Sequence, residues 1–293
     1  MESIGFVGAG MMGHGICANL LAAGHPLTVT AHRARSRIED LVGRGAREAA
    51  TLEALAERAE VLMLCVNRAD TVREIVGGPG AKLRTGALVI DTTTSLPEVS
   101  RGLAAALAPR GIDFVDAPLI GGPAQAAEGR LGSLVGATPG ALARARPILE
   151  RYNAQIAHFG PPGAGNVAKL LNNFLTVGTR ALIAQVFAAA RRQGIEWGDF
   201  YRVIAIGAAG SRTLDTMVRT AIDGDYRGNQ FSIDNCTKDM RYAEAVIGDD
   251  ADGLRMQQAM LGFFQRFVDS GHGERFASEM LDPALSDARG RER

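Results

Sequence analysis

Four polar residues with helical spacing interrupt an apolar segment in the middle of the chain. Lys169, Asn173, Thr176 and Arg180 are separated by four, three and four positions, which places them on one face of a helix. Most residues around them are Leu, Val, Ile or Phe, as in a buried helix. A lysine in such a position can give a proton to a substrate oxygen or take one from it. The competing interpretation is a solvent-exposed face, since charged side chains are mostly exposed.

A glycine-rich segment near the start of the chain predicts a phosphate site. Gly8, Gly10 and Gly13 form a GxGxxG motif that follows a strand-like run and opens a helical pattern, as in dinucleotide-binding folds. Gly8 would make the tight turn, Gly10 would admit the pyrophosphate, and Gly13 would let helix and strand pack closely. The first helical turn, with Met11 and Met12, would offer N–H groups to the phosphates. The alternative is a glycine-rich turn without a ligand.

The end of the second predicted strand distinguishes between the two nicotinamide dinucleotides. An NAD site usually has an acid there for the ribose 2′-hydroxyl. This chain has His32, Arg33 and Arg35, and the first acid is Glu39. Because Arg matches the geometry and charge of a 2′-phosphate, we expect NADP, with NAD possible. Two solvated arginines on a turn are the alternative.

The segment DTTTSLP, residues 91–97, ends another predicted strand and starts a helix. The hydroxyl of Thr94 could cap that helix. It could also face a ligand, because a doubly wound sheet binds ligands at the carboxyl ends of its strands. The two roles are compatible.

These motifs lie in an alternation of short apolar runs and helical patterns, which is typical of a doubly wound parallel sheet. The predicted strands are Ile4–Val7, Leu27–Thr30, Val61–Val66, Leu88–Asp91, Phe114–Asp116, Leu131–Gly136 and Gln155–Phe159. After the Pro/Gly cluster GPPGAG the strand signals largely vanish, and a long helix to about Gln193 opens a helical half. We therefore expect an α/β Rossmann domain over residues 1–162 and an all-α domain over 163–293, joined by that helix.

Composition argues against several classes of function. The 293 residues carry 32 basic and 32 acidic side chains, so nothing suggests a nucleic-acid partner. Cys17, Cys65 and Cys236 have neither metal-ligand nor disulfide spacing, and we expect no metal. The sequence shows no signal peptide and no apolar run of the roughly 18 to 20 residues that a membrane span requires. These features favour a cytoplasmic protein that has no membrane partner and acts on a small molecule.

Five ordered motifs resemble the β-hydroxyacid dehydrogenases, the family of 3-hydroxyisobutyrate dehydrogenase and tartronate semialdehyde reductase. They are GAGMMG at 8–13, DTTTSLP at 91–97, DAPLIGG at 116–122, GAGNVAKLLNN at 163–173 and TKDMRYA at 237–243. The resemblance covers nearly the whole chain. It implies reversible hydride transfer between NADP(H) and a small β-hydroxy acid or the matching semialdehyde or keto acid. It also implies a homodimer or homotetramer.

The resemblance assigns roles to further positions. Lys169 corresponds to the catalytic lysine and general acid/base of the family, and Asn173 to its substrate-contacting amide. The substrate loop includes Ile120, Gly121 and Gly122. On the cofactor side, Lys238 corresponds to a lysine that reaches the cofactor, and the family's adenine-side Leu-Pro is replaced here by Val66 and Asn67.

One departure leaves the substrate open. Ile120 replaces a serine whose hydroxyl helps to hold the substrate carboxylate in the family, although Gly121 and Gly122 still carry N–H donors. A related subgroup has DAPLGRTP here, and this chain shares its Pro123 without its Arg-Thr pair. Arg180 and Arg212 could bind an anionic substrate, but Arg180 lies about three turns from Lys169, and a surface or inter-subunit role is the more ordinary interpretation of both.

Two other functions stay open at this point. Imine reductases share the architecture but typically lack the catalytic lysine, so Lys169 argues against that alternative. A non-catalytic dinucleotide sensor is supported only by Ile120, and Lys169 together with Asn173 argues against it.

Overall fold

The computed structural model describes residues 1–31 and 35–286. Its contacts divide the chain into two compact units, Met1–Lys169 and Leu170–Arg293. The first unit contains a sheet and its covering helices. The second unit is helical, and no strand occurs among its described residues.

A mixed sheet of nine described strands forms the centre of the first unit. The strands are β1 (Ile4–Val7), β2 (Leu27–Val29), β3 (Arg47–Glu48), β4 (Val61–Leu64), β5 (Leu88–Asp91), β6 (Asp113–Asp116), β7 (Leu119–Ile120), β8 (Leu131–Gly136) and β9 (Asn153–Gly160). Their order is β3-β2-β1-β4-β5-β6-β8-β7, and β9 pairs with β8. Strands β1 to β6 are all parallel. Strand β8 runs antiparallel to β6 and β7.

The Rossmann prediction is confirmed, and two details differ from the predicted sheet. The strands β3 and β7 were not predicted, because two residues are too few to show a period. The edge formed by β8 is antiparallel to β6, and β7 and a five-residue helix connect the two strands. Strands β1, β4 and β5 are apolar at every position but Gly5 and Asp91 and are fully buried, as expected for strands covered on both faces.

The helices of the first unit follow the strands in alternation. They are α1 (Met11–Ala22), α2 (Arg35–Gly43), α3 (Leu52–Arg58), α4 (Ala69–Gly77), α5 (Pro97–Leu107), α6 (Pro123–Ala127) and α7 (Pro139–Leu149). The core between sheet and helices includes Phe6, Ile16, Met63, Ile90 and Tyr152.

The second unit packs helices around an aromatic and methionine-rich core. The long helix α8 (Ala164–Arg192) begins in the first unit and continues into the second. It is followed by α9 (Trp197–Ala205), α10 (Arg212–Val218), α11 (Ile233–Ile247), α12 (Ala251–Asp269) and α13 (Pro283–Ser286). Phe187, Met217, Met240 and Phe264 are fully buried in this core.

Helix α8 differs from the expectation that no segment of the chain is long and apolar enough to span a membrane. By length and composition it could cross a membrane, and it is the one helix of the described residues that meets this criterion. A core helix of a folded domain meets the same criterion. Val177 and Phe187 on this helix are fully buried in the core of the second unit, so packing accounts for part of the apolar composition of α8.

Candidate active site

The predicted cofactor residues follow neighbouring strands at one edge of the sheet. Val7, Leu64, Asp91 and Asp116 are in register across β1, β4, β5 and β6 and close these strands at their carboxyl ends. Strands β2 and β4 flank β1 on opposite sides, so the chain reverses its direction of winding there. A doubly wound sheet binds its ligand outside the strand ends at such a switch point.

The glycine loop between β1 and α1 has the geometry that a pyrophosphate needs. Gly8 has a φ of 99°, and a Cβ there would lie 2.2 Å from the carbonyl oxygen of Cys65. A Cβ at Gly13 would lie 2.1 Å from the carbonyl oxygen of Gly8. At Gly10, in contrast, no described atom lies within 4 Å of the Cβ position. Gly8 and Gly13 are therefore required by packing, whereas Gly10 leaves the backbone open to a ligand.

The N-terminus of α1 adds donors and a positive dipole to this loop. Gly10 is the N-cap, and within the described residues no side chain caps the helix. The first N–H groups of a helix have no intrahelical acceptor, so those of Met11, Met12 and Gly13 suit a phosphate. The residues present therefore fit a nicotinamide dinucleotide. The described ranges contain no cluster of side chains suited to a metal ion.

Of the residues expected to distinguish NADP from NAD, the structure describes Arg35. His32 and Arg33 are outside the described residues. Arg35 opens α2 and forms ion pairs with Glu39 and Glu48, so its guanidinium already has two carboxylate partners.

The loops after β4 and β5 are joined by threonine hydroxyls. The N–H of Val66 donates to the Thr93 hydroxyl at 3.2 Å, and the Thr92 hydroxyl donates to the Leu64 carbonyl at 2.7 Å. Asn67 is exposed next to this pair. Thr94 does not occupy the N-cap position of α5, which is Leu96, a residue without a side-chain cap hydrogen bond within the described part of the chain.

The substrate loop, defined here as residues 119–125, differs from expectation in its donors. Ile120 is 36% exposed, and Gly121 has a φ of 122°, which favours glycine. The N–H of Gly122 donates to the side-chain oxygen of Gln125 at 2.9 Å. That N–H group, expected to be available for substrate, is therefore used within the loop.

Helix α6, which follows the substrate loop, is anchored on α1. A Cβ at Gly15 of α1 would lie 2.7 Å from the backbone of Ala126. The Asn19 amide of α1 donates to the Ala126 carbonyl at 2.9 Å. The same helix therefore carries the phosphate-binding turn and positions the substrate loop.

Lys169 contacts the substrate loop directly. Its ammonium donates to the carbonyl oxygen of Leu119 at 2.6 Å, and the residue is half-buried. Asn173, one turn further along α8, is 4% exposed. The solvent-face interpretation of this polar set is therefore wrong. Apolar residues occupy the exposed side of α8 instead, namely Leu171, Leu175, Leu182 and Val186.

Asp116, at the end of β6, holds the start of α8. Its two oxygens accept from the N–H groups of Gly163, at 2.6 Å, and Asn166, at 2.8 Å. A carboxylate at this end of a helix is favoured by the helix dipole. Burial raises the pKa of the Asp116 carboxyl to about 6, and the backbone N–H donors oppose that rise.

Asn166, in the first turn of α8, ties the same helix to the loop after β5. Its side-chain oxygen accepts from the N–H of Ser95 at 2.8 Å, and its amide donates to the Ser100 hydroxyl at 3.1 Å. Asp116, Asn166 and Leu119 together fix the first two turns of α8, and with them Lys169.

The second unit contains a buried polar chain beside Asn173. The Asn173 amide donates to Asp239 at 2.6 Å, and the other Asp239 oxygen lies 2.8 Å from the Lys238 ammonium. Asp239 is 1% exposed. This unit therefore holds Asn173 and Lys238, two residues expected to act in function, through one carboxylate.

The sequence reasoning missed two residues of the site. Gln125 stands three positions after Gly122, a spacing that can signal a capping box. The links formed by Asn166 had no such signal, because its partners Ser95 and Ser100 are 71 and 66 positions away.

Comparison with known proteins agrees with this geometry. A family model for the NAD binding domain of 6-phosphogluconate dehydrogenase matches residues 3–160. A second, for the NAD-binding domain of NADP-dependent 3-hydroxyisobutyrate dehydrogenase, matches residues 163–284. The chain is 34% identical to the 3-hydroxyisobutyrate dehydrogenase of Pseudomonas aeruginosa, over 73% of each chain. It is 31% identical to the 3-sulfolactaldehyde reductase of Escherichia coli, over 96% of this chain and 95% of that one.

Solved structures give the same result for fold and cofactor. A complex of Psf3 with NADP+ and 2-OPP superposes with a TM-score of 0.85 at 28% identity, over 96% of this chain and 99% of that one. An imine reductase of Streptomyces aurantiacus reaches a TM-score of 0.65 at 22% identity, over 97% and 99%, and this likeness shows the fold alone. The chain therefore belongs to the β-hydroxyacid dehydrogenase family and is an NAD(P)-dependent oxidoreductase of small hydroxy acids.

Proposed function

We propose that the protein transfers a hydride reversibly between NADP(H) and a small β-hydroxy acid or the matching semialdehyde or keto acid, with Lys169 as general acid/base. The observation that carries this proposal is the contact between the Lys169 ammonium and the Leu119 carbonyl, 2.6 Å apart. It holds the proton-carrying group against the substrate loop. The relatives named 3-hydroxyisobutyrate dehydrogenase and 3-sulfolactaldehyde reductase support a small anionic substrate.

The protein's part in the reaction is to move one proton and to orient the substrate. The nicotinamide supplies hydride chemistry when bound. In reduction, Lys169 gives a proton to the carbonyl oxygen of the substrate as it becomes an alcohol, and in oxidation it takes that proton back. The Leu119 carbonyl directs the ammonium. Asn173 uses one amide N–H on Asp239 and has a second for the substrate.

The cofactor assignment rests on the edge of the sheet described above. We assign the phosphates to Gly8, Gly10, Gly13 and the first turn of α1 with Met11 and Met12. The proposed neighbours of the rest of the cofactor are Val66, Asn67, Thr94 and Lys238. Preference for NADP is assigned to Arg33 with His32, since Arg35 already has two carboxylate partners.

The exposed apolar side of α8 supports an oligomer. Leu171, Leu175, Leu182 and Val186 are between 44% and 71% exposed, and their spacing puts them on one stripe. Stripes of this kind mark interaction surfaces. We therefore propose a homodimer or homotetramer that buries α8, in the cytoplasm, with a small-molecule substrate.

NADPH oxidation against a panel of carbonyl compounds tests the reaction. The panel contains semialdehydes with a carboxylate or a sulfonate, uncharged aldehydes and cyclic imines, with NADH run in parallel. We expect turnover of an acid class with NADPH. Turnover of the imines alone would contradict the proposal and would favour the imine reductase alternative.

Two variants test the role of Lys169. Lys169→Ala should lower kcat by about 10²- to 10⁴-fold, the usual contribution of a positioned acid or base, with NADPH affinity nearly unchanged. The matched control is Lys82→Ala, because Lys82 is an exposed lysine of the same unit, 3.9 Å from Glu57. Equal kcat in the two variants would remove Lys169 from the mechanism.

A third variant tests cofactor choice. Arg33→Ala should weaken NADPH binding much more than NADH binding, measured by fluorescence titration. Equal losses for the two dinucleotides would mean that Arg33 does not read the 2′-phosphate.

A further inference from the structure

Arg180, on α8, has an unusual environment for a cation. The residue is half-buried, and its Nε is fully buried without a hydrogen-bond acceptor in the part of the chain that the structure describes. Within those same residues its guanidinium forms no ion pair. A partly desolvated guanidinium without a carboxylate carries a cost that an anionic ligand would offset.

An aromatic ring fixes the orientation of this guanidinium. The Cζ of Arg180 lies 5.0 Å from the ring centroid of Phe231. Stacking on an aromatic face covers one side of the planar group. The N–H edge of the group then remains for a planar acceptor, and a carboxylate can bind such an edge through both oxygens.

Asn173 and Arg180 of α8 both contact α11 or the segment just before it. Asn173 of α8 pairs with Asp239 of α11, and Arg180 of α8 stacks on Phe231 just before α11. Helices α8 and α11 therefore run in opposite directions where they pack. Cys236 stands between Phe231 and Asp239 in the sequence, and its thiol is buried. Burial raises its pKa, Arg180 lowers it, and Asp239 raises it, which places both charges near this thiol.

The distance between Asn173 and Arg180 suits a short molecule with two polar ends. Seven residues of helix correspond to a rise of about 10 Å. Both side chains lean toward the N-terminus of α8, and the longer arginine side chain leans further. The guanidinium and the Asn173 amide are therefore separated along the axis by somewhat less than this rise.

We propose that Arg180, stacked on Phe231, binds a second anionic group at the far end of the substrate whose near end meets Asn173. The substrate class is then a small dianion, such as a dicarboxylic hydroxy acid and its semialdehyde. The inference rests on the proposed function, because it assumes that substrate binds at Asn173.

Binding of simple carboxylates tests this assignment without any turnover. Glutarate, a dicarboxylate, and butyrate, a monocarboxylate, are titrated calorimetrically into the protein saturated with NADP+. We expect glutarate to bind about tenfold more tightly or better, as charge-assisted hydrogen bonds allow. In Arg180→Met the two affinities should become similar. Arg180→Lys should keep part of the preference, because the charge remains but the bidentate edge is lost.

Arg191→Met is the matched control. Arg191 lies on the same helix, and its Cζ is 5.8 Å from the Trp197 ring centroid, so it tests the loss of an arginine that stacks on an aromatic ring elsewhere on α8. The Arg191→Met variant should show the same preference for glutarate over butyrate as the unmodified protein. If Arg180→Met fails to fold, Arg180→Lys is measured in its place. A preference for glutarate over butyrate equal to that of the unmodified protein then overturns the inference.

The outcomes separate this inference from the proposed function. No preference in the unmodified protein, or the same preference in Arg180→Met, overturns the Arg180 site even where NADPH-dependent turnover is intact. A glutarate preference that needs Arg180, in a protein that reduces none of the panel, supports the anion site and rejects the proposed reaction.

Discussion

Asp239 holds two polar side chains inside the helical unit, and we expect its charge to be essential there. Its carboxylate is 1% exposed, accepts from Asn173 at 2.6 Å and lies 2.8 Å from the Lys238 ammonium. The side chain of Lys238 is only 11% exposed. Asp239→Asn keeps the shape of the side chain and removes the charge. The Lys238 ammonium then loses this carboxylate in a site that water hardly reaches.

The contacts set the size of the effect. Removing one partner of a buried ion pair costs about 3–5 kcal/mol. The ring of Tyr242, 5.0 Å from the Lys238 ammonium, makes its cation–π contact both before and after the change and therefore does not offset this loss. We expect Asp239→Asn to lower the free energy of unfolding by about 3–5 kcal/mol. Removing both charges, in Asp239→Asn with Lys238→Met, should cost less than the sum of the two single changes.

Urea unfolding of the four proteins, followed by circular dichroism, measures this cycle. Asp249→Asn is the control, because Asp249 is an exposed acid shortly after the same helix. It should change the free energy of unfolding by less than about 0.5 kcal/mol. The reasoning is refuted if Asp239→Asn costs no more than this control. It is also refuted if the two single effects add, since additivity would mean that Lys238 and Asp239 do not interact.

Three further predictions concern the first unit. Gly10→Ala should change the free energy of unfolding by no more than about 1 kcal/mol, the effect of an N-cap substitution, and should weaken NADPH binding. In contrast, Gly13→Ala should destabilise the fold, because its Cβ would lie 2.1 Å from a carbonyl oxygen, and thermal unfolding with NADPH titration separates the two effects. Burial raises the pKa of Asp116 to about 6, above the roughly 3.9 of an unfolded chain, so its contribution to stability is present below about pH 4 and is lost as pH rises through about 6. Asp116→Asn should lack this decline in urea unfolding, and an identical pH profile would contradict the assignment. Ile120→Ser should raise kcat/KM for a monocarboxylic semialdehyde several-fold if the missing hydroxyl limits that substrate, and no gain would mean that the loop serves another substrate shape.

The dinucleotide-binding half was predictable because its signals are local. Ile4–Val7, Leu88–Asp91 and Leu131–Gly136 are strands at the bounds expected from their apolar runs. The roles of Gly8 and Gly13 follow from spacing, since the turn and the helix that require glycine lie within a few residues of them.

The contacts that hold helix α8 were not predictable for the opposite reason. Asp116 reaches Gly163 across 47 positions, and Lys169 reaches Leu119 across 50. No periodicity in the sequence reports such pairs, because they depend on which strand ends next to which loop. The bond from the Gly122 N–H to Gln125 is local, but it depends on the backbone turn at Gly121. Sequence spacing alone therefore left that N–H group as a substrate donor.

The supports of Lys169 and Asn173 differ, although the two residues are one turn apart on α8. Lys169 is fixed by the substrate loop and by the contacts of Asp116 and Asn166 with the first turn. Asn173 is fixed by Asp239 in the helical unit. Because Lys169 carries the proton in the proposed mechanism, a change at Asn166 should act on kcat. Because Asn173 orients substrate in the proposed mechanism, a change at Asp239 should act on KM.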